Sequence, residues 1–250
     1  MNWKNIFKIA GMSLLFIFIG VSLSFTSIER KDILMADLQV KIKDSYQFVS
    51  AREIENIVSK NFKKLKGAMI DSINTQVIEL KIEEHPWVKN AEVFKGYAQS
   101  DDMKLKGRIK ISIEQEVPVL RVVNEDRSYF VNAAGKILPA TGFYSMSIPV
   151  FTGKINDSMM QNSLLPFVSI TSADPFWKAL IQQVHVLNNG ELIIVPRVGN
   201  HKIEFGKPEN IDVKLRNLML VYTRGFEGDA WNKYKTVTLK YNNQVVCTLR

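Results

Sequence analysis

The twenty residues from Ile9 to Ile28 carry no charged side chain, and about 20 predominantly apolar residues are what a helix needs to cross roughly 30 Å of hydrocarbon. No other feature restricts the chain so tightly, because a segment of this kind is withdrawn from whatever core the rest builds. Lys4 and Lys8 precede it, whereas Glu29, Arg30, Lys31 and Asp32 cancel one another after it. The basic flank marks the cytoplasmic side. The expectation is a short cytoplasmic tail over 1–8, a single transmembrane helix over 9–28, and nearly all remaining mass outside the cytoplasm. Ser22-Leu23-Ser24 offers small residues at the spacing a signal peptidase uses, but a secretory apolar region runs only about 7 to 15 residues, which favours an anchor. Both readings export the rest.

Export changes what the composition means. A formal net charge of +8 would raise nucleic acid as a partner in a cytoplasmic protein; outside the cytoplasm it describes a solvated basic face, densest at Lys60 to Lys66, with some attraction to an anionic bilayer surface. The single cysteine, Cys247, allows no internal disulfide, so the core alone must stabilise the exported part.

From Leu38 the apolar residues alternate, with Leu38, Val40 and Ile42 against Gln39, Lys41 and Lys43, which predicts a half-buried strand. Ser50-Ala51-Arg52-Glu53 has capping-box spacing and opens a helix carrying Ile54, Ile57, Val58 and Phe62. A second helix, capped by Asn74 and bearing Val77, Ile78, Leu80 and Ile82, stops at Pro86. Trp87 to Val93 reads as a strand, Tyr97 to Lys106 as a polar loop, and Ile109, Ile111 and Ile113 as a further strand. The order is β-α-α-β-β over 33–117. Val117-Pro118 then interrupts the pattern, since proline lacks the donor that continues a central strand.

Over 118–250 the chain reads as an antiparallel sheet with turn signals at Ala134-Gly135 and Asn189-Gly190. A helix at Gln161 to Ile170 is interrupted by Pro166, and Asp174-Pro175 starts a helical turn. A later helix presents Ile211, Leu215, Leu218 and Tyr222 on one face. Two last strands, Thr236 to Tyr241 and Gln244 to Leu249, form a terminal hairpin about Asn242-Asn243. The fold class is α+β.

Four segments carry a resemblance. His85 to Val93 is similar to the segment between second helix and next strand in the POTRA module of the bacterial cell-division family FtsQ, also called DivIB. Ile111 to Val119 resembles the end of that module, and Tyr129 to Gly135 resembles the family's tyrosine, valine, aspartate, glycine hairpin with Asn132 in the aspartate's place. Gly206 followed by Lys214-Leu215, and then Leu239-Lys240-Tyr241, resemble the closing helix and penultimate strand; Thr238 stands where many relatives carry aspartate. The resemblance implies a non-catalytic divisome scaffold of the inner membrane, with its C-terminal domains periplasmic, acting in septum formation. Its implied partners are the small coiled-coil membrane subunits FtsB and FtsL. Strand addition at a C-terminal sheet edge would then place Lys240, Tyr241, Gln244, Val245, Val246 and Thr248 at the contact, with Lys240 and Tyr241 as charge and aromatic anchor.

No cofactor, metal or catalytic residue is expected. His85, His185 and His201 lack the short spacing of local metal motifs, and neither a phosphate loop nor a nucleophile elbow is present. Glu83-Glu84 reads as solvated charge at a helix end. The alternatives are a POTRA-bearing factor of secretion or outer-membrane assembly, and an anchored cell-wall enzyme.

Overall fold

The computed structural model describes residues 11–22, 33–99, 105–125, 127–140, 146–226, 230–241 and 244–250. Helix α1 occupies 11–22, and every residue in it is exposed. At about 1.5 Å per residue it is roughly 18 Å long. Among the described residues no helix is long and apolar enough to cross a membrane. The expected span is therefore seen only in its middle; positions 9, 10 and 23–28 lie outside the described residues, as does the 1–8 tail. The chain divides into two compact units, Met1–Gln115 and Glu116–Arg250.

In the first unit, β1 (Met35–Ile42) leads to α2 (Ala51–Asn61), a 3-10 turn (Ile70–Ser72), α3 (Thr75–Glu83), β2 (Val88–Gln99) and β3 (Leu105–Gln115). This is the expected β-α-α-β-β order, with the sheet ordered β1-β3-β2. The Ser50 hydroxyl accepts from the Glu53 amide at 3.1 Å and starts α2. The Glu53 carboxylate, expected to reach back, lies 3.3 Å from His85 Nε2 instead. Asn74 caps α3 by accepting from the Gln76 amide. Ile54 and Val58 of α2, Ile78 and Ile82 of α3, and Ile109, Ile111 and Ile113 of β3 are all buried, and Trp87 stacks on Phe48 with ring centroids 4.1 Å apart. Val77 and Leu80 are exposed, because a nine-residue helix lying on a sheet turns only the 78/82 stripe inward. The loop expected over Tyr97 to Lys106 is shorter: β2 and β3 pair out to Gln99 and Leu105, since a two-stranded ribbon satisfies its backbone whatever the polarity of its side chains.

Both edges of this sheet carry side or main chain. On β2, the Val93 amide donates to the Glu79 carboxylate at 2.7 Å and the Ala91 amide to Glu83 at 3.0 Å. At the start of β1, the Met35 amide donates to the Ala68 carbonyl and the Gly67 amide to the Met35 carbonyl, both at 2.8 Å.

The second unit is built on nine strands: β4 (Pro118–Val123), β5 (Ser128–Asn132), β6 (Ile137–Pro139), β7 (Val150–Gly153), β8 (Ile181–Val186), β9 (Leu192–Pro196), β10 (Lys202–Gly206), β11 (Tyr234–Thr238) and β12 (Val246–Leu249). Their spatial order is β12-β11-β10-β9-β8-β7-β4-β5-β6. The expectation of an antiparallel sheet is corrected here, because β4 with β7, β7 with β8, and β10 with β11 pair in parallel. Parallel neighbours need a crossover connection, which is helical for β7 to β8 and for β10 to β11, whereas β4 reaches β7 by way of β5 and β6. Between β7 and β8 run α4 (Asp157–Met159), a π-helical turn (Met160–Leu164), α5 (Leu165–Ala173) and α6 (Pro175–Leu180); between β10 and β11 run α7 (Ile211–Leu220), a second π-helical turn (Val221–Gly225) and α8 (Ala230–Lys233).

Pro166 does not break its helix. The turn before it widens so that the Leu165 amide bonds to the Met160 carbonyl, and Pro166 falls in the first turn of α5, where its missing N–H costs little. Asn132 holds the β5–β6 hairpin, accepting from the Ala134 and Lys136 amides at 3.0 and 2.8 Å and donating to Glu116 at 2.8 Å. Gly135 supplies the positive φ of that turn, +83°. Ile211, Leu215, Leu218 and Tyr222 are all buried on the core face, as their spacing predicts.

Candidate functional site

The terminal hairpin departs from its sequence reading: β11 starts two residues earlier and ends three earlier, and β12 starts two residues later. β11 ends at Thr238, and of the six residues named for partner contact only Val246 and Thr248 lie on β12. Lys240, Tyr241, Gln244 and Val245 belong to the connection, and the turn at Asn242-Asn243 lies outside the described residues. The cause lies in the neighbouring strand. β11 pairs with β10 from Thr236 to Thr238, and the Leu239 amide continues that pairing to the Glu204 carbonyl at 2.9 Å, which fixes the register from the inside of the sheet outward.

Among the described residues β12 is the outermost strand, bonded to β11 alone. In an antiparallel pair alternate residues turn N–H and C=O away from the partner. β12 therefore presents a short row of unused backbone groups, the template that an added strand reads. Val245 and Cys247 pack against the core, while Gln244, Val246 and Thr248 are exposed. The strand is pinned at its end by the Arg250 amide on the Lys233 carbonyl at 3.2 Å and by Arg250 Nη2 on the Asn200 carbonyl.

Lys240 is not a free cation. Its Nζ lies 2.8 Å from Glu191 Oε2 and 3.9 Å from Glu204 Oε2. The hydrogen bond to Glu191 holds the ammonium above its usual range and the carboxyl of Glu191 below the usual carboxylate range. Glu204 also accepts from the buried Thr238 hydroxyl at 3.0 Å. The stem of Lys240 crosses Gly206, where φ is +73° and an added Cβ would stand 3.1 Å from Lys240 Cγ. Beside it, Lys214 Nζ donates to the carbonyls of Phe205 (3.0 Å) and Lys207 (2.7 Å). Burial pushes the Lys214 ammonium down, partly offset by Glu209 and Glu191.

A groove of about 350 Å³ opens between α7 and this connection, lined by Asn210, Val213, Lys214, Asn217, Leu239, Tyr241 and Gln244. Tyr241, 60% exposed, forms one wall. The α7 side of the groove was not readable in advance. Asn210, Val213 and Asn217 occupy the polar face of an amphipathic helix, and nothing local distinguishes a groove wall from solvated surface. Glu191 and Glu204 were missed for another reason: they reach Lys240 from 49 and 36 positions away.

The remaining chemistry is dispersed. His85 faces Glu53, His185 Nδ1 lies 2.9 Å from Thr152 Oγ1, and His201 Nε2 lies 2.8 Å from Tyr222 Oη. Glu83, read as solvated charge, is an edge acceptor for β2. Among the described residues no group of three or more His, Cys, Asp or Glu is placed to hold a metal ion. Burial raises the Cys247 thiol, which lowers its thiolate fraction and its reactivity.

Residues 117–248, more than half of the chain, match the family described as "FtsQ/DivIB, C-terminal related". The chain belongs to the FtsQ/DivIB family. Residues 35–114 match a POTRA-like domain, the part that carries the β-α-α-β-β order. No curated protein matches the chain. Among solved structures it is similar to one described as POTRA1-2 of the periplasmic domain of Omp85 from Anabaena, at 12% identity and a TM-score of 0.25, over 65% of this chain and 92% of that one. The assignment rests on the family matches. FtsQ/DivIB proteins are non-catalytic division scaffolds, anchored in the inner membrane with a periplasmic domain, and the groove and all of the edge but Leu249 lie within the residues matched to FtsQ/DivIB.

Proposed function

We propose that this FtsQ/DivIB protein is a single-pass membrane scaffold without catalytic activity. Its tail over 1–8 is cytoplasmic, the run over 9–28 spans the inner membrane, a POTRA-like domain covers 33–117, and a partner-binding domain covers 118–250 in the periplasm. It recruits coiled-coil division subunits of the FtsB and FtsL type by strand addition on β12 during septum formation. Lys240, Tyr241, Gln244, Val245, Val246 and Thr248 form the contact region. The roles differ within it: Val246 and Thr248 offer the rail, Tyr241 and Gln244 the groove wall, and Val245 and Lys240 hold the connection in place.

The observation that carries this reading is the open edge of β12. The opposite margin of the same sheet, β6, has three residues and ends in Pro139, a common way of closing an edge to pairing. The test is capture of purified FtsB–FtsL complex by the full-length chain, comparing wild type, Tyr241→Ala and a V246K/T248K double variant, with Ile137→Lys on β6 as control. At an interface centre, truncating a tyrosine costs about 2 kcal/mol or more, so Tyr241→Ala should weaken capture by at least about tenfold. The double variant should abolish capture and the β6 control should leave it intact. Undiminished capture by both edge variants would refute the docking surface, and turnover of a peptidoglycan fragment by the chain would sink the scaffold.

A further inference from the structure

We propose that the first unit rests on the anionic surface of the bilayer, using the end of its sheet at which β1 begins. This goes beyond the scaffold reading but depends on one part of it, that the run from Ile9 to Ile28 spans the membrane.

Several segments converge at this end. The Gly107 amide donates to the Leu34 carbonyl at 2.9 Å, Leu34 pairs with Met69 in an isolated bridge, and Gly107 pairs with Tyr97 across β2 and β3. Leu105 and Gln99 pair two positions further out. The hydrogen bonds between Gly67–Ala68 and Met35 bring in the turn that follows α2. Four large side chains are left in water here: Leu34 and Met69 at 52%, Leu105 at 56% and Tyr97 at 43%. None of them completes the core of this unit, which includes Ile109, Ile111 and Ile113 further along the sheet.

Cations surround them. Lys63, Lys64, Lys66 and Lys106 are exposed, and Lys95 reaches the Asp71 carbonyl at 2.8 Å. Of the described carboxylates nearby, Asp37 is already held by Arg108 at 2.7 Å, leaving Asp71, and Glu55 in the same pocket as Lys63 and Lys66, against the lysines. Apolar side chains and an aromatic ring ringed by lysines are the composition of a surface that lies in the headgroup region.

Chain length argues for the same occupant. Six residues, 29–34, separate Ile28 from Met35. At no more than about 3.6 Å per residue the seven steps between those two positions reach at most roughly 25 Å. Whatever path the chain takes, the start of β1 cannot leave the neighbourhood of the bilayer, and the apolar residues and lysines stand at that start rather than at the Gln115 end. The lysine cluster at 60–66 thereby acquires a role, as attraction to anionic lipid falls off within about one Debye length, roughly 8 Å at physiological salt.

The test uses the full-length chain in nanodiscs containing anionic lipid, with Cys247→Ser and one nitroxide label at a time on Phe18→Cys, Leu105→Cys or Glu84→Cys. Glu84 is exposed and precedes β2, at the opposite end of the unit. Collision with oxygen, which concentrates in lipid, is compared with collision with a water-soluble nickel chelate. The expected result is lipid depth for the 18 label, interfacial depth for the 105 label and full aqueous access for the 84 label, with the 105 label moving severalfold toward aqueous access in discs of zwitterionic lipid alone. A lipid-embedded 18 label beside a fully aqueous 105 label would overturn the docking while leaving the span intact. An aqueous 18 label would overturn the span and the docking with it. A 105 label shielded from both reagents and broadened by a second label would overturn the membrane assignment in favour of contact between two copies.

Discussion

Gln115 shows how much one buried amide holds. Its Oε1 accepts from the Val49 amide at 2.9 Å, its Nε2 donates to the Tyr46 carbonyl at 2.7 Å, and its own amide donates to Asp44 at 2.8 Å. Gln115→Leu would keep the volume and strand both backbone partners, at about 1–3 kcal/mol for each unsatisfied group. A loss of about 2–4 kcal/mol in denaturant stability is expected, and a change under about 0.5 kcal/mol would contradict the account. His201 sets a pH dependence. Burial holds its imidazole below the usual 6.5, the charge of Arg250 adds to that, and the nearby Trp231 backbone opposes it. As pH falls through about 6.5 the unfolded chain takes up a proton that the folded chain resists. The contribution is complete above that value and is lost progressively below it. Urea titrations from pH 8 to 5 should show declining stability, with a flatter slope in His201→Gln; identical slopes would exclude His201 as a source. The caps at Ser50 and Asn74 were legible in the sequence because their partners lie two or three residues on. Gln115 and His201 were not, because what they bond to is brought to them by the fold.

The carboxylates of Glu79 and Glu83 make α3 the closure of one sheet edge. Glu79→Ala with Glu83→Ala removes the acceptors of the Val93 and Ala91 amides. These amides should exchange with deuterium faster by at least about tenfold, and the chain should self-associate at high concentration through β2. The Gln replacements keep an acceptor and should do neither; unchanged exchange in the Ala pair would show that the carboxylates are incidental. Element type followed from period: three isoleucines two apart in β3 could only be a strand with one buried face, and 211, 215, 218 and 222 only a helix. Extent and pairing were not legible in the same way. The β2–β3 ribbon runs past its alternating part because backbone bonding needs no pattern, and parallel pairing follows from crossovers rather than from any strand's own residues. Pro166 misled as well, since a widened turn before a proline leaves no local mark.

For the whole molecule, the edge was anticipated and its dimensions were not. The terminal position of β12 could be read from its place after the last turn, whereas the engagement of Lys240 with Glu191 and the wall supplied by α7 exist only once distant strands meet. The length of β12 then limits what it can do. Four residues offer outward bonding groups on two of them, so an added strand gains a few backbone hydrogen bonds, each worth about 0.5–1.5 kcal/mol net. Association in three dimensions forfeits an estimated 4–15 kcal/mol of freedom. The rail's own bonds, with a few kcal/mol more from Tyr241 and the groove beside it, are of the same order as that cost, so contact in three dimensions is weak. Partner and scaffold placed in one nanodisc should therefore remain together at dilutions where the same two proteins in separate discs come apart, with a difference on the order of 10²-fold or greater. Equal retention in both formats would mean that the contact is far larger than β12 and its groove. Under the proposed scaffold reading, a four-residue rail acts as a detector of neighbours: it reports that a partner already occupies the same patch of membrane, and it releases that partner when the patch disperses.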